Sequence, residues 1–352
     1  MRPPLILTLS YRGTDGLSCL SRQLSSALTA FSDPAEVEVW SLVDSNGAAE
    51  GEGIHFSGAG GHRLAIVAWS LREGLSRQQR RLVVSLHTHM APLALPLMMR
   101  GATLVHILVG IEAWKPLSKV QTGTLKKAER LMSISQHTER EFKRANPEFQ
   151  EKSVRVCHPG LPDRDVARSE IDEGPLALIV GRMSRAERYK GHDLLIEIWD
   201  EIRRAAPGAK LIVAGDGDDR SRLERKAFEL GLDEAIRFVG PQSKTALDDL
   251  YRRCAFLVMP SRHEGFGFVF LEAMRAGMPC IGARGAAGEI IDDGLTGFVV
   301  DPDERTSLIE AITKLCRERA LRRQMGMRSR EKFLARFTAE HFQERLVSAL
   351  RS

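Results

Sequence analysis

Residues 254–282, CAFLVMPSRHEGFGFVFLEAMRAGMPCIG, most narrow what this 352-residue chain can fold into. Ala255–Met259 is a short, uniformly apolar run ended by Pro260, the pattern of a parallel strand buried on both faces. Gly265-Phe266-Gly267 then allows a tight turn, and Phe268–Ala276 reads as a helix. Gly277 and Pro279 supply its stop signals. A strand that passes through a glycine turn into a helix belongs to an α/β sheet. It gathers the free N–H groups of the helix start at one point, where an anion binds well. Two carboxylates, Glu264 and Glu272, bracket that point.

The rest of the chain repeats the alternation. Strands are expected at Leu5–Ser10, Val37–Leu42, Leu82–Leu86, Thr103–Val109 and Val154–Cys157. After a charged, aperiodic stretch at 163–174, taken as a linker, they resume at Leu176–Val180, Lys210–Ala214, Ile236–Val239 and the opening stretch. Helices are expected from Leu17, Leu20, Leu24 and Leu28 at helical spacing, then over Leu64–Leu75, Pro92–Arg100, His137–Ala145, Asp193–Ala205 and Arg220–Leu230. Three amphipathic helices follow near 303–318, 321–335 and 339–350. Residues 44–62, rich in Gly, Ala and Ser, read as loops around at most a short strand, and Gly285–Gly288 as a glycine turn. Arg72, Arg77, Arg80 and Arg81 form a basic edge near the end of the second helix.

Composition closes off several classes. The content of 43% hydrophobic and 28% charged residues is that of a globular protein with ample core. No apolar stretch reaches bilayer-spanning length, and no leader pattern follows Met1, so a cytoplasmic location is expected. Five cysteines without ligand-like spacing suit a reducing compartment. Cys254 and Cys280 are expected on buried strands. The net charge of +5 sits mainly in the first half, where residues 1–170 carry 21 Lys and Arg against 17 Asp and Glu. Charges are dispersed and aromatics are only 6%, so no nucleic-acid partner is expected. The basic first half would suit an anionic membrane surface, at the inner face of the membrane.

Local motifs exclude further readings. Gly13 and Gly16 lack the third glycine and the later acid of a dinucleotide fingerprint, which argues against a dehydrogenase. His87 and His89 have no third metal ligand nearby in sequence. Asp216, Asp218 and Asp219 suggest a calcium loop, but Ala227 stands where its closing Glu would be. Glu264 and Glu272, taken by spacing alone, also fit two solvated surface charges. Arg182 and Lys190 likewise fit two surface cations.

Taken together, these residues resemble one family. Glu264 and Glu272, with seven residues between them, resemble the acidic signature of the retaining GT-B glycosyltransferases of family 4. Gly181-Arg182 with Lys190-Gly191 is similar to the family's segment that grips the donor diphosphate. The resemblance implies two Rossmann-like doubly wound domains facing across a cleft, at 1–165 and 166–337. A helix at 338–352 would return to the first domain. It implies that a hexosyl group moves with retention from an NDP-sugar of UDP or GDP type to a glycan or lipid-linked glycan, with no metal or other cofactor.

The resemblance also implies roles. Glu264 would meet the donor sugar's hydroxyls and Glu272 the ribose. Arg182 and Lys190 would stabilise the departing diphosphate. Gly181, Gly265, Phe266, Gly267, Phe268 and Gly16 would line the donor, and Gly13, His89 and Glu112 the acceptor. His89 also fits a hydrogen-bonded structural histidine. Residues 109–117, VGIEAWKPL, resemble a family segment that begins with histidine beside the transferred sugar, whereas this chain has Val109. Valine neither donates a hydrogen bond nor moves a proton. His106, three residues earlier, is expected on the strand's other face. The departure leaves a second reading open, a catalytically impaired homologue that binds nucleotide-sugar or a partner.

Overall fold

The structure, a computed structural model, describes residues 2–32, 35–47, 51–75, 80–164 and 174–351. Two compact units emerge, Met1–Gly160 with Ala339–Ser352, and Leu161–Thr338. The expected boundary at 165/166, most of the 163–174 linker and Arg77 lie outside the described residues.

The first unit runs β1 (Leu5–Thr8), α1 (Gly16–Phe31), β2 (Val37–Ser41), β3 (Ile54–Gly58), α2 (Arg63–Leu75) and β4 (Leu82–Ser85). It continues with α3 (Leu95–Met98), β5 (Thr103–Leu108), α4 (Lys119–Lys127), β6 (Arg130–Ser133), α5 (Gln136–Ala145) and β7 (Val154–Val156). Its sheet order is β3-β2-β1-β4-β5-β6-β7, and every pairing is parallel. The central strand β1 is LILT, buried throughout, as a strand with helices on both faces must be. Leu5, Leu7, Val83, Leu104 and Leu131 form the core beneath the helices.

The second unit runs β8 (Leu176–Val180), α6 (His192–Ala205), β9 (Lys210–Ala214), α7 (Arg220–Glu229), β10 (Ile236–Gly240), α8 (Lys244–Arg253) and β11 (Phe256–Met259). Then come α9 (Phe268–Arg275), β12 (Cys280–Ala283), α10 (Ala287–Ile290), β13 (Gly297–Val300), α11 (Arg305–Arg317) and α12 (Arg319–Arg336). The order β10-β9-β8-β11-β12-β13 is again all parallel and doubly wound. The last helix, α13 (Ala339–Arg351), belongs to the first unit. There Arg345 donates to the His158 carbonyl at 2.9 Å, and Arg130 donates to the Ala349 carbonyl at 2.7 Å.

Four expectations change. Cys254 is buried but caps α8 instead of opening β11, because the Leu250 carbonyl accepts its N–H. The glycine turn at 285–288 already enters a helix, α10, at Ala287. Arg81 is not part of a solvent-facing edge. Its buried guanidinium pairs with Glu38 and donates to the Pro3 carbonyl at 2.8 Å. Val109 lies past the end of β5, so strand alternation does not relate it to His106, which is fully buried within the strand. Helices α4 and α8 are additions to the expected pattern.

Candidate donor and acceptor sites

In each unit most of the predicted residues follow the C-terminal ends of the strands on either side of the point where strand order reverses; Glu112, after β5, and Glu272, inside α9, do not. In doubly wound sheets that reversal is where the helix starts splay apart and leave a crevice. In the second unit that point lies between β8 and β11, which pair through Phe256↔Ala177 and Leu257↔Leu178. Gly181, Arg182 and Lys190 follow β8. Glu264 to Phe268 follow β11.

Three contacts draw these two loops together. Gly191, at φ +92°, sits so close to the next loop that a Cβ there would meet Pro260 Cγ at 2.6 Å. The Arg262 N–H donates to the Tyr189 carbonyl at 3.0 Å, and the Tyr189 and His263 rings meet edge-on at 5.3 Å. The result places Lys190 Nζ 4.0 Å from Glu264 Oε2, with both side chains largely shielded from water. Burial, more than any neighbour, raises the Glu264 carboxyl above the usual carboxylate range. Lys190 opposes that shift and Glu187 adds to it. The loop is shaped by Gly267, whose φ of +99° would strain any other residue at the start of α9. Phe266 is buried, against Phe268 and Phe337, so its ring is core and only its backbone can line a ligand.

A third loop, after β9, splints the first. Met183 N–H donates to the Asp216 carbonyl at 2.9 Å, and the Met183 carbonyl accepts from Asp219 N–H at 3.0 Å. Arg185 N–H donates to Asp218 Oδ1 at 3.0 Å. The buried Asp219 carboxylate pairs with Arg222 at 2.6 Å and Arg188 at 3.1 Å. Arg222 chiefly, then Arg188, holds its carboxyl below the usual range. These acids therefore serve the loop's own structure. Among the described residues no group of three or more His, Cys, Asp or Glu is arranged to hold a metal.

Two partners had no signal in the sequence. Glu187 takes the Arg182 fork through two hydrogen bonds, 2.9 and 2.6 Å. The exposed Arg182 guanidinium thus faces the Glu187 carboxylate. Tyr251, fully buried, donates its hydroxyl to Glu272 Oε2 at 2.7 Å. Burial raises the Glu272 carboxyl, while Tyr251 and Arg275 pull it down. Glu272 is therefore a carboxylate fixed from behind, one turn inside α9.

In the first unit the reversal lies between β1 and β4. Gly13 and Gly16 follow β1, His89 follows β4, and Glu112 follows the next strand, β5. Asp15 caps α1 by accepting from Ser18 N–H at 3.0 Å, so part of the anion-attracting helix start beside Gly16 already has an acidic partner. His89 is exposed, and its backbone N–H donates to His87 Nδ1 at 3.2 Å. Burial lowers His87 to about 4, helped by His89. Glu112 accepts from the Val109 N–H at 3.3 Å. Burial raises its carboxyl to about 7, against the pull of the Glu112, Val109 and Gly110 backbone N–H groups. A carboxyl poised there can hold or release a proton near neutral pH.

Comparison with known proteins agrees with the second unit's layout. The family described as glycosyl transferases group 1 matches residues 163–332. A D-inositol 3-phosphate glycosyltransferase of Nocardia farcinica is 33% identical over 175 residues, which is 47% of this chain and 39% of that protein. A GDP-mannose-dependent monoacylated alpha-(1-6)-phosphatidylinositol monomannoside mannosyltransferase of Corynebacterium glutamicum is 29% identical over 238 residues, 63% of this chain and 62% of the relative. The chain thus spans less than half the length of the first of these relatives and under two thirds of the second. Among solved structures, sucrose-phosphate synthase from Thermosynechococcus elongatus aligns with a TM-score of 0.81 at 21% identity, over 99% of this chain and 98% of that one. Anabaena HepE in complex with UDP and glucose gives 0.78 at 19%, covering 99% of each chain. At such identities the likeness establishes the fold, which is GT-B. Residues 163–332 thus match the group 1 glycosyltransferase family, and nearly the whole chain has the GT-B fold.

Proposed function

We propose that this protein is a retaining, metal-independent hexosyltransferase of the family 4 type. It would use an NDP-sugar of UDP or GDP type and a glycan or lipid-linked glycan acceptor. The observation that carries this reading is the Lys190–Glu264 pair, 4.0 Å apart where the order of the second sheet reverses. In this reading the start of α9 and Lys190 receive the donor diphosphate, and Arg182 joins them once the phosphate competes with Glu187. Glu264 accepts hydrogen bonds from the sugar hydroxyls, and Glu272, held by Tyr251, meets the ribose. The bond from the anomeric carbon to the diphosphate oxygen breaks as the acceptor oxygen bonds on the same face. The acceptor's proton passes to the departing phosphate oxygen, a route that does not need a histidine at position 109. The first unit would present the acceptor, and the protein would work at the inner face of a membrane.

The relatives support the donor class. The Corynebacterium glutamicum relative is described as GDP-mannose-dependent, and the HepE structure contains UDP and glucose. The test begins with a thermal-shift screen of UDP-, GDP-, ADP- and TDP-sugars, since a ligand bound only by the folded state raises the melting point. Transfer by the stabilising donor is then followed with a chelator present, and the anomeric configuration of the product is read by NMR. An inverted product, or a rate abolished by the chelator and restored by a divalent cation, would refute the corresponding part. Donor binding with neither transfer nor slow hydrolysis would favour the impaired homologue.

A further inference from the structure

Helix α2 has hydrophobic side chains on two sides, and only one side packs into its unit. Ile66, Ser70 and Gly74 are buried, Gly74 so tightly that a Cβ would meet Pro96. On another side Leu64, Val67, Leu71 and Leu75 are 84%, 40%, 54% and 79% exposed. With exposed Ala68 they fall within about 100° of helix circumference, and Arg63 and Arg72, also exposed, border that arc on either side. Met99, at the end of α3, which packs on α2, is 86% exposed. Exposed Arg100 donates its Nε to the Gly74 carbonyl at 2.8 Å and so adds a cation at the helix's C-terminal end. The single acid of α2, Glu73, is drawn inward by Arg2 and Arg81. The exposed face therefore holds large apolar side chains, flanking arginines and no carboxylate.

Scattered exposed leucines are ordinary, but a continuous apolar face marks an interaction surface. The charges select the partner. Pairing α2 with the same helix of a second copy would oppose arginines to arginines, with no acid on the face to meet them. An anionic lipid surface satisfies both features, since its headgroups meet the arginines while the leucines enter the acyl boundary. We propose that α2 is an interfacial helix that holds the first unit on an anionic membrane surface. This deepens the membrane-facing part of the proposed function and rests on that part alone. The donor chemistry does not depend on it.

The test is co-sedimentation of the full chain with phosphatidylcholine vesicles, with and without phosphatidylglycerol, at low and high salt. Wild type should bind the anionic vesicles, more weakly at high salt. Leu64→Asp/Leu71→Asp and Arg63→Glu/Arg72→Glu should each weaken that binding by about tenfold or more. Because these side chains are exposed and remote in sequence from the donor loops, circular dichroism and donor-induced thermal shift should match wild type. Three results would overturn the proposal: wild type staying in the supernatant, both variants binding like wild type, or a dimer in light scattering that Leu71→Asp splits. Vesicle binding without any donor turnover would sink the transferase reading while supporting this one.

Discussion

Lys190→Met tests the centre of the proposed site, because it removes one charge while keeping much of the apolar stem. The pair it breaks sits at 4.0 Å, the limit of an ion pair, and neither side chain is fully buried. Its contribution to folding should therefore be small, under about 1 kcal/mol. The effect on rate should be much larger. A preorganised group aimed at charge that develops in the transition state is worth about 10²–10³ in kcat, roughly 3–4 kcal/mol. The sign of a second effect follows from Glu264. Burial raises its carboxyl, and Lys190 is the neighbour that lowers it. Without Lys190 the carboxyl should rise further. Activity that needs the Glu264 carboxylate should then fail at a higher pH as the solution is acidified. The assay is steady-state donor turnover across a pH series, with urea denaturation as the folding control. A variant with wild-type kcat, or a large rate loss with an unmoved acidic limb, would refute the assignment of Lys190 beside both the diphosphate and Glu264.

Three further outcomes are expected. Tyr251→Phe removes the 2.7 Å hydrogen bond to Glu272, so donor binding measured by calorimetry should weaken by about 1.5–3 kcal/mol while kcat changes less. Unchanged affinity would separate Glu272 from the nucleotide. Gly267→Ala places a Cβ at φ +99° and about van der Waals overlap distance from the buried Phe270 ring, so urea denaturation should show a loss of about 1–3 kcal/mol. Asp219→Asn should loosen the loop after β8, because Arg188 loses the carboxylate it pairs with and Arg222 keeps only Asp193. Because the folded pKa of Asp219 lies below the ordinary value, its stabilisation is complete above the unfolded pKa, about 3.9, and is lost as pH falls through the folded pKa. Wild type should therefore lose its advantage over Asp219→Asn only in strong acid, and an advantage that disappears near neutral pH would count against the pairing.

The parts of this fold legible in the sequence are those set by local pattern. Apolar runs such as LILT and FLVM are buried strands because both faces of a parallel sheet are covered. The helices α4 and α8 escaped the periodicity reading although their caps were present. Ser118 and Gln121 close a capping box, and Ser243 caps α8 by accepting from Ala246 N–H. Both helices bury few apolar side chains, so their hydrophobic period is weak while their capping signal is clear. Cys254 failed for a related reason. It adjoins an apolar run, and only the preceding helix assigns it to a cap.

By itself the sequence pattern determined two halves of alternating strands and helices and the residues that belong after β8 and β11, while the doubly wound order was an expectation from the family resemblance. Side-chain alternation, glycine turns and helix stops act over a few residues, so they can be read without knowing the neighbours. Tertiary structure alone decided which charges meet. Lys190 reaches Glu264 because Gly191 lets its loop close on Pro260, while Arg182 turns to Glu187 and Glu272 is claimed by Tyr251, twenty-one positions away. It also decided which side of α2 faces solvent. Both sides of that helix carry apolar residues, and only packing against Pro96 and its neighbours chooses between them. Pairings and exposures of this kind depend on loops from distant strands arriving at one edge of a sheet, and no local pattern records that arrival.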